Sequence, residues 1–182
     1  MHTAYIGLGA NLPGPGGTPQ ATFAAALESL ASLGPISARS SLYSTAPVGI
    51  PDQPRFVNAV IALRTGLAPR TLLLHLLAIE SHNGRNRAQS TPNGPRTLDL
   101  DLLLLGDLCL SESGLELPHP RLAERAFVLV PLAEIAPTLV DPRSRRTIAQ
   151  LLDDLLRQFP AGADAVTRIE SELWSPLATI VS

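Results

Sequence analysis

The stretch Pro95-Arg96-Thr97-Leu98-Asp99-Leu100-Asp101-Leu102-Leu103-Leu104-Leu105 alternates leucine with Thr97, Asp99 and Asp101 before it runs into leucine alone. Alternation with period 2 marks a β-strand. Leu98, Leu100, Leu102 and Leu104 are expected to share one face and to seek a core, while Asp99 and Asp101 share the other. The two carboxylates then stand roughly 7 Å apart, at about 3.3 Å per residue. At that separation they repel by about 2 kcal/mol for an effective dielectric near 20, a cost that asks for a cation close by. Two readings fit the stretch alone: a pair of hard-metal ligands serving a phosphate substrate, or a solvated edge-strand face that happens to carry two acids.

Upstream, Thr3–Leu8 reads as a first strand that turns out at Gly9-Ala10-Asn11-Leu12. Pro13–Gly17 is a loop. Thr18 followed by Pro19 is a helix start, with Phe23, Leu27, Leu30 and Leu33 on one face and Gly34-Pro35 as the stop. Ile36–Tyr43 reads as a second strand near an edge, and Thr45–Pro54, with three prolines, as a stiff loop. In the strand Phe56–Leu63, Val57, Ala59, Ile61 and Leu63 share one face and Phe56, Asn58 and Val60 the other. Asn58 is either a satisfied buried amide or a reader of a polar ring. Pro69–Asn83 is a leucine-dense helix closed by Gly84, and His75 in its middle fits a half-buried histidine better than a metal ligand.

Downstream of the acid pair, Leu108-Cys109-Leu110 is expected to form a short paired strand, Pro118-His119-Pro120-Arg121 a constrained turn, and Pro131–Ala136 a short helix after the apolar run Phe127–Val130. Thr147 caps a last amphipathic helix. Phe159–Ser182 fits a tail or an edge strand. The order strand–helix–strand–strand–helix–strand implies an α+β fold, a ferredoxin-like antiparallel sheet with helices packed on it in an αβα sandwich, with the acid pair on a central strand.

Composition narrows the function. A chain of 182 residues with 16% charged residues suits one domain with a sizeable core. Its net charge of −2 advertises no nucleic-acid partner. No apolar run approaches a membrane span and no secretion signal is visible, so a cytoplasmic protein is expected. The single cysteine, Cys109, excludes both a disulfide framework and a multi-thiolate zinc site. All 14 basic residues are arginine. Without lysine there is no phosphate loop ending in Gly-Lys-Ser/Thr and no Schiff-base chemistry. Any phosphate must be met by arginine forks, backbone N–H groups or metal.

Acids at 99 and 101, arginines at 85, 87, 96, 121 and 125, and a turn-held His119 together point to metal-assisted phosphoryl transfer. Phe56, Asn58 and Phe127 point to a flat, hydrogen-bonding ring. Several segments carry a resemblance: Ala4-Tyr5-Ile6-Gly7-Leu8-Gly9-Ala10-Asn11-Leu12, Tyr43-Ser44-Thr45-Ala46-Pro47-Val48-Gly49, and Asp52-Gln53-Pro54-Arg55-Phe56-Val57-Asn58. They continue with Gly84-Arg85-Asn86-Arg87, Gly94-Pro95-Arg96-Thr97-Leu98-Asp99-Leu100-Asp101, Leu117-Pro118-His119-Pro120 and Arg125-Ala126-Phe127-Val128-Leu129. In this order the chain, from about residue 4 to 156, resembles the 6-hydroxymethyl-7,8-dihydropterin pyrophosphokinases of folate synthesis.

The resemblance implies transfer of pyrophosphate from ATP to the hydroxymethyl group of the pterin, giving AMP, with no covalent enzyme intermediate. It implies two Mg²⁺ ions on Asp99 and Asp101. Arg85, Arg96, Asp99 and Asp101 would be catalytic, and Glu80, Arg87, Arg96, His119 and Arg125 would bind ATP. Thr45, Pro47, Val48, Phe56, Asn58, Asp99 and Phe127 would bind the pterin. Residues 1–158 would form the pyrophosphokinase domain and 159–182 a C-terminal tail of unknown role, in a protein expected to be monomeric. At several positions the chain departs from its relatives, Glu116 standing where a small hydroxyl residue also occurs. Ala88–Gly94 lacks the further basic residues and the tryptophan found in some members, and Phe56 stands where tyrosine also occurs. The alternative is a ferredoxin-like module that binds nucleotide or pterin without catalysis. It would leave the acid pair and the five arginines without a purpose.

Overall fold

The computed structural model describes residues 1–47, 49, 52–87, 91, 94–159 and 166–177. Its strands are β1 (His2–Ala10), β2 (Ile36–Arg39), β3 (Leu42–Thr45), β4 (Phe56–Thr65), β5 (Asp99–Leu105), β6 (Leu110–Glu112), β7 (Leu115–Leu117) and β8 (Val166–Ile169). The α-helices are α1 (Pro19–Ala31), α2 (Pro69–His82), α3 (Ala126–Ile135) and α4 (Ile148–Gln158). Among the described residues the main sheet runs β5-β1-β4-β3-β8, with β2 also paired to β4. Every pairing in it is antiparallel. With β2 and β3 sharing one strand position, this is the ferredoxin-like order, extended at one edge by β8.

Two apolar layers sandwich the sheet. Ala4, Ile6 and Leu8 of β1 and Ala59, Ile61 and Leu63 of β4 meet Phe23, Ala26 and Leu30 of α1 and Leu72, Leu76 and Ile79 of α2. On the other face Val60, Ala62 and Leu104 meet Val128, Leu129 and Leu132 of α3 and Ile148 and Leu151 of α4. The helix ends follow local chemistry. The Thr18 side chain accepts from Ala21 N, and Thr147 forms a reciprocal box with Gln150.

Several expectations are corrected. The acid-bearing strand β5 lies at an edge, not in the centre. Its outer side is nevertheless paired: Leu100 N donates to the Glu80 carboxylate at 2.7 Å, and Leu103 O accepts from His119 N at 2.8 Å. This is one way an edge is kept from pairing with another chain. The leucine face is not continuous either. The β1–β5 register shifts between Tyr5 and Ile6, so Leu104 pairs with Tyr5 and Leu102 with Ile6. That bulge turns Leu104 to the α3–α4 layer and Leu105 to the α1–α2 layer beside Leu98, Leu100 and Leu102.

The expected strand 36–43 is split at Ser40-Ser41, where Glu134 of α3 accepts from Ser41 N, Ser41 Oγ and Tyr43 OH. Ala126–Ile135 is one helix that accommodates Pro131, not an apolar run followed by a helix. The short strand after β5 begins at Leu110, leaving Cys109 exposed. His75 is exposed rather than half-buried. The C-terminal segment, open between tail and edge strand, forms β8 against β3. No described helix is long and apolar enough to cross a membrane.

Candidate active site

Helices α3 and α4 cover only part of their face of the sheet, and the rest opens into a cavity of about 510 Å³. Its floor is a row of side chains brought into register by strand pairing: Asp99 on β5 opposite Gly9 on β1, and Gly9 opposite Asn58 on β4. One step along, Asp101 lies opposite Gly7 and Gly7 opposite Val60. The glycines make the trough. A Cβ on Gly9 would stand 3.4 Å from Asn58 Oδ1 and 3.9 Å from Asp99 Cβ, filling the space between the two polar groups. The expected strand held Gly7 but put Gly9 in the turn after Leu8; β1 instead runs on to Ala10, which brings both glycines into the floor.

Asn58 is 5% exposed and donates its amide to Thr45 Oγ1 at 2.8 Å. That bond fixes the amide orientation and leaves Oδ1 facing the trough beside Gly9. Phe56 from β4 and Phe127 from α3 both line the cavity. Each carries a guanidinium on its ring: Arg96 at 5.0 Å from the Phe56 centroid, and Arg125 at 5.5 Å from that of Phe127.

The two aspartates sit in different surroundings. Asp99 is caged, with Arg96 at 2.7 Å, Arg85 at 3.3 Å and Arg87 at 3.9 Å. Asp101 forms an ion pair with Arg125, at 3.6 Å. Burial pushes the Asp101 carboxyl above its ordinary range, and the neighbouring Asp99 pushes it further, with His119 and Arg125 opposing. His119 reaches the cavity from the turn after the cis Leu117–Pro118 bond. Its Nδ1 accepts from Arg121 N at 3.1 Å, so a neutral ring carries its proton on Nε2. Burial holds its pKa below the ordinary value, against the pull of Asp101.

The cavity lining carries Arg85, Arg87, Arg96, Arg121 and Arg125 against Asp99, Asp101 and Glu124. Among the described residues, Arg85 Nε and Nη1, Arg96 Nε and Arg125 Nε are buried donors with no acceptor. Unsatisfied buried donors are costly, and their concentration around one cavity fits an anion with several oxygens. The carboxylates of Asp99 and Asp101 are oxygen donors suited to Mg²⁺, which takes one or two carboxylates together with substrate phosphates. No larger cluster of His, Cys, Asp or Glu able to hold a metal occurs among the described residues.

Of the expected site residues, the structure brings together Thr45, Phe56, Asn58, Arg85, Arg87, Arg96, Asp99, Asp101, His119, Arg125 and Phe127. Glu80 stands apart. Its side chain is 1% exposed and turned away, accepting from Arg87 Nε and Nη2 at 2.8 Å each as well as from Leu100 N. Pro47 is half-buried but not in the lining, and Val48 lies outside the described residues. Gly7, Gly9, Arg121 and Val166 line the cavity without having been assigned to the site from sequence.

Residues 5–137 match the family of 7,8-dihydro-6-hydroxymethylpterin-pyrophosphokinase. A Pseudomonas aeruginosa protein named 2-amino-4-hydroxy-6-hydroxymethyldihydropteridine pyrophosphokinase is 47% identical over 162 residues, 88% of this chain and 93% of the relative. A Synechocystis protein of the same name is 45% identical over 156 residues, 85% of this chain and 76% of the relative. Among solved structures, a Plasmodium falciparum HPPK-DHPS with pteroate superposes with a TM-score of 0.74 at 14% identity, covering 93% of this chain. The chain spans about half of that solved chain, 48% of it, and the likeness there is one of fold.

Proposed function

Since the chain belongs to the 7,8-dihydro-6-hydroxymethylpterin-pyrophosphokinase family, we propose that it transfers the terminal pyrophosphate of ATP to the hydroxymethyl oxygen of 6-hydroxymethyl-7,8-dihydropterin. This is the activity of an ATP-dependent diphosphokinase of folate biosynthesis. The observation that carries the assignment to this cavity is the juxtaposition of a ring-sized trough at Gly9 and Asn58 with buried arginine donors lacking acceptors.

The pterin lies over Gly7 and Gly9 between Phe56 and Phe127, and its polar edge meets Asn58 and Thr45. Its hydroxymethyl group then points toward β5. Arg85, Arg96 and Arg125 turn their free N–H groups to the β- and γ-phosphates, and Arg87 and His119 Nε2–H add donors to the nucleotide. Asp99 and Asp101 would hold Mg²⁺, which would supply charge neutralisation at the phosphates. The hydroxyl oxygen attacks the β-phosphorus in line. The bond to the oxygen bridging the α- and β-phosphorus breaks, AMP leaves with that oxygen, and the hydroxyl proton is lost. The residues act by position and charge, without a covalent intermediate.

Glu80 acts one step removed in this scheme: it anchors β5 through Leu100 and orients Arg87. The same reading has a cytoplasmic monomer working on ATP and pterin, with no nucleic-acid or membrane partner, supported by the net charge of −2 and the free thiol of Cys109. The test is direct. Purified protein with MgATP and the pterin should release AMP, and EDTA should stop it reversibly. Release of ADP instead, or no turnover by folded protein, overturns the proposal.

A further inference from the structure

The family match ends at residue 137, yet one wall of the cavity comes from well beyond it. β8 pairs with β3 so that Val166 stands opposite Thr45, and Val166 lines the cavity. Directly opposed residues on one sheet face have Cβ atoms about 4.5–5.5 Å apart. The partner of Val166 is thus the threonine whose hydroxyl holds the Asn58 amide. The far end of the segment is tied down. Leu177 and Arg39 exchange backbone hydrogen bonds of 2.8 and 2.9 Å. Trp174 is 4% exposed, lies 5.8 Å from the Phe23 ring and donates Nε1–H to Ser40 O at 2.8 Å.

We propose that β8 is the end wall of the pterin pocket, and that Val166 limits what can be attached to the ring edge remote from the reaction. The inference rests on the functional reading above. With the hydroxymethyl group directed at Asp99 and Asp101 on β5, the opposite edge of the bicycle is its 2-amino-4-oxo side. Strands step about 4.8 Å across a sheet, so Asn58, two strands from β5, lies about 10 Å across and meets that edge. Thr45 and then Val166 come next. Val166 offers hydrocarbon only, so the wall admits the bare amino group and resists a substituent on it. β8 also holds Thr45 through the strand ladder, and Trp174 is a positioning residue that keeps β8 in place.

The full-length chain tests this. Val166→Phe should raise KM for the pterin at least tenfold, leaving kcat and KM for ATP within twofold. Val166→Ala should raise catalytic efficiency toward an N2-ethyl pterin, relative to the unsubstituted pterin, at least fivefold. Trp174→Ala should raise KM for the pterin, and Trp174→Phe should restore it. An unchanged pterin KM in Val166→Phe, or an equal rise in KM for ATP, overturns the proposal. If circular dichroism shows that Val166→Phe has lost its fold, the Val166→Ala ratio decides, and no change in it overturns the proposal. Failure of the functional reading shows separately, as wild-type protein that makes no AMP.

Discussion

Asp99 and Asp101 point the same way from one strand, but three guanidiniums surround the first and one approaches the second. The pKa of Asp101 is raised by burial and by Asp99, so its ionised form is disfavoured in the folded protein relative to the unfolded one. Above the ordinary carboxylate range this opposes folding. Asp101→Asn is therefore expected to keep or slightly raise the urea midpoint at pH 7, while AMP release falls at least about 10³-fold from loss of a proposed metal ligand and of transition-state charge. Gly9→Ala should act otherwise. Alanine is acceptable in a strand and better by about 0.5–1 kcal/mol in chain entropy, but its methyl stands in the trough. Stability should hold while KM for the pterin rises about tenfold. At this scale the lining of the cavity was legible where a residue type announces it, as with the acids, the arginines and Asn58. Gly7 and Gly9 act through missing side chains, and Glu80 through a backbone N–H whose need for a partner shows only once β5 is known to be an edge.

Among the elements, β5 depends on its neighbours for its place. Glu80 of α2 accepts from Leu100 N and from Arg87. Glu80→Ala would leave that N–H unpaired and is expected to cost about 2–3 kcal/mol in urea unfolding, the low end for truncating a buried charge partner because Arg87 keeps water access. The contact of β3 with α3 runs through Tyr43 and Glu134, 3.0 Å apart. Burial, with help from the Glu134 charge and hydrogen bond, pushes the Tyr43 pKa up to about 12. The unfolded value is about 10. The associated stability is present below pH 10 and is lost as pH rises toward about 12. A series of urea midpoints across that window should fall in the wild type and fall less steeply in Tyr43→Phe, where Tyr5, its pKa also raised by burial, keeps part of the slope. Element type was readable from period and caps, as at Thr18 and Thr147. The Leu103–Leu104 parity change was not, because a run of four leucines has no alternation to betray a bulge. The break at Ser40-Ser41 was equally silent, since it is created by Glu134 from 93 residues away.

For the whole molecule, the order of elements was enough to imply the ferredoxin-like sheet, because that order leaves few ways to bury two helix layers. The C-terminal segment resisted the same treatment. Its apolar residues follow no single period, and its described part is fixed by contacts with β2, β3 and α1 far back in the chain. One feature of that segment has an optical side. Trp174 is the chain's single tryptophan, and it sits in the apolar layer with Phe23, Leu30 and Leu42. Tryptophan emission from this protein therefore reports the seating of its last strand and not the chemistry on β5. A red shift that precedes the loss of far-ultraviolet dichroism in urea would signal that strand lifting away first, while coincident curves would mark it as part of one cooperative unit.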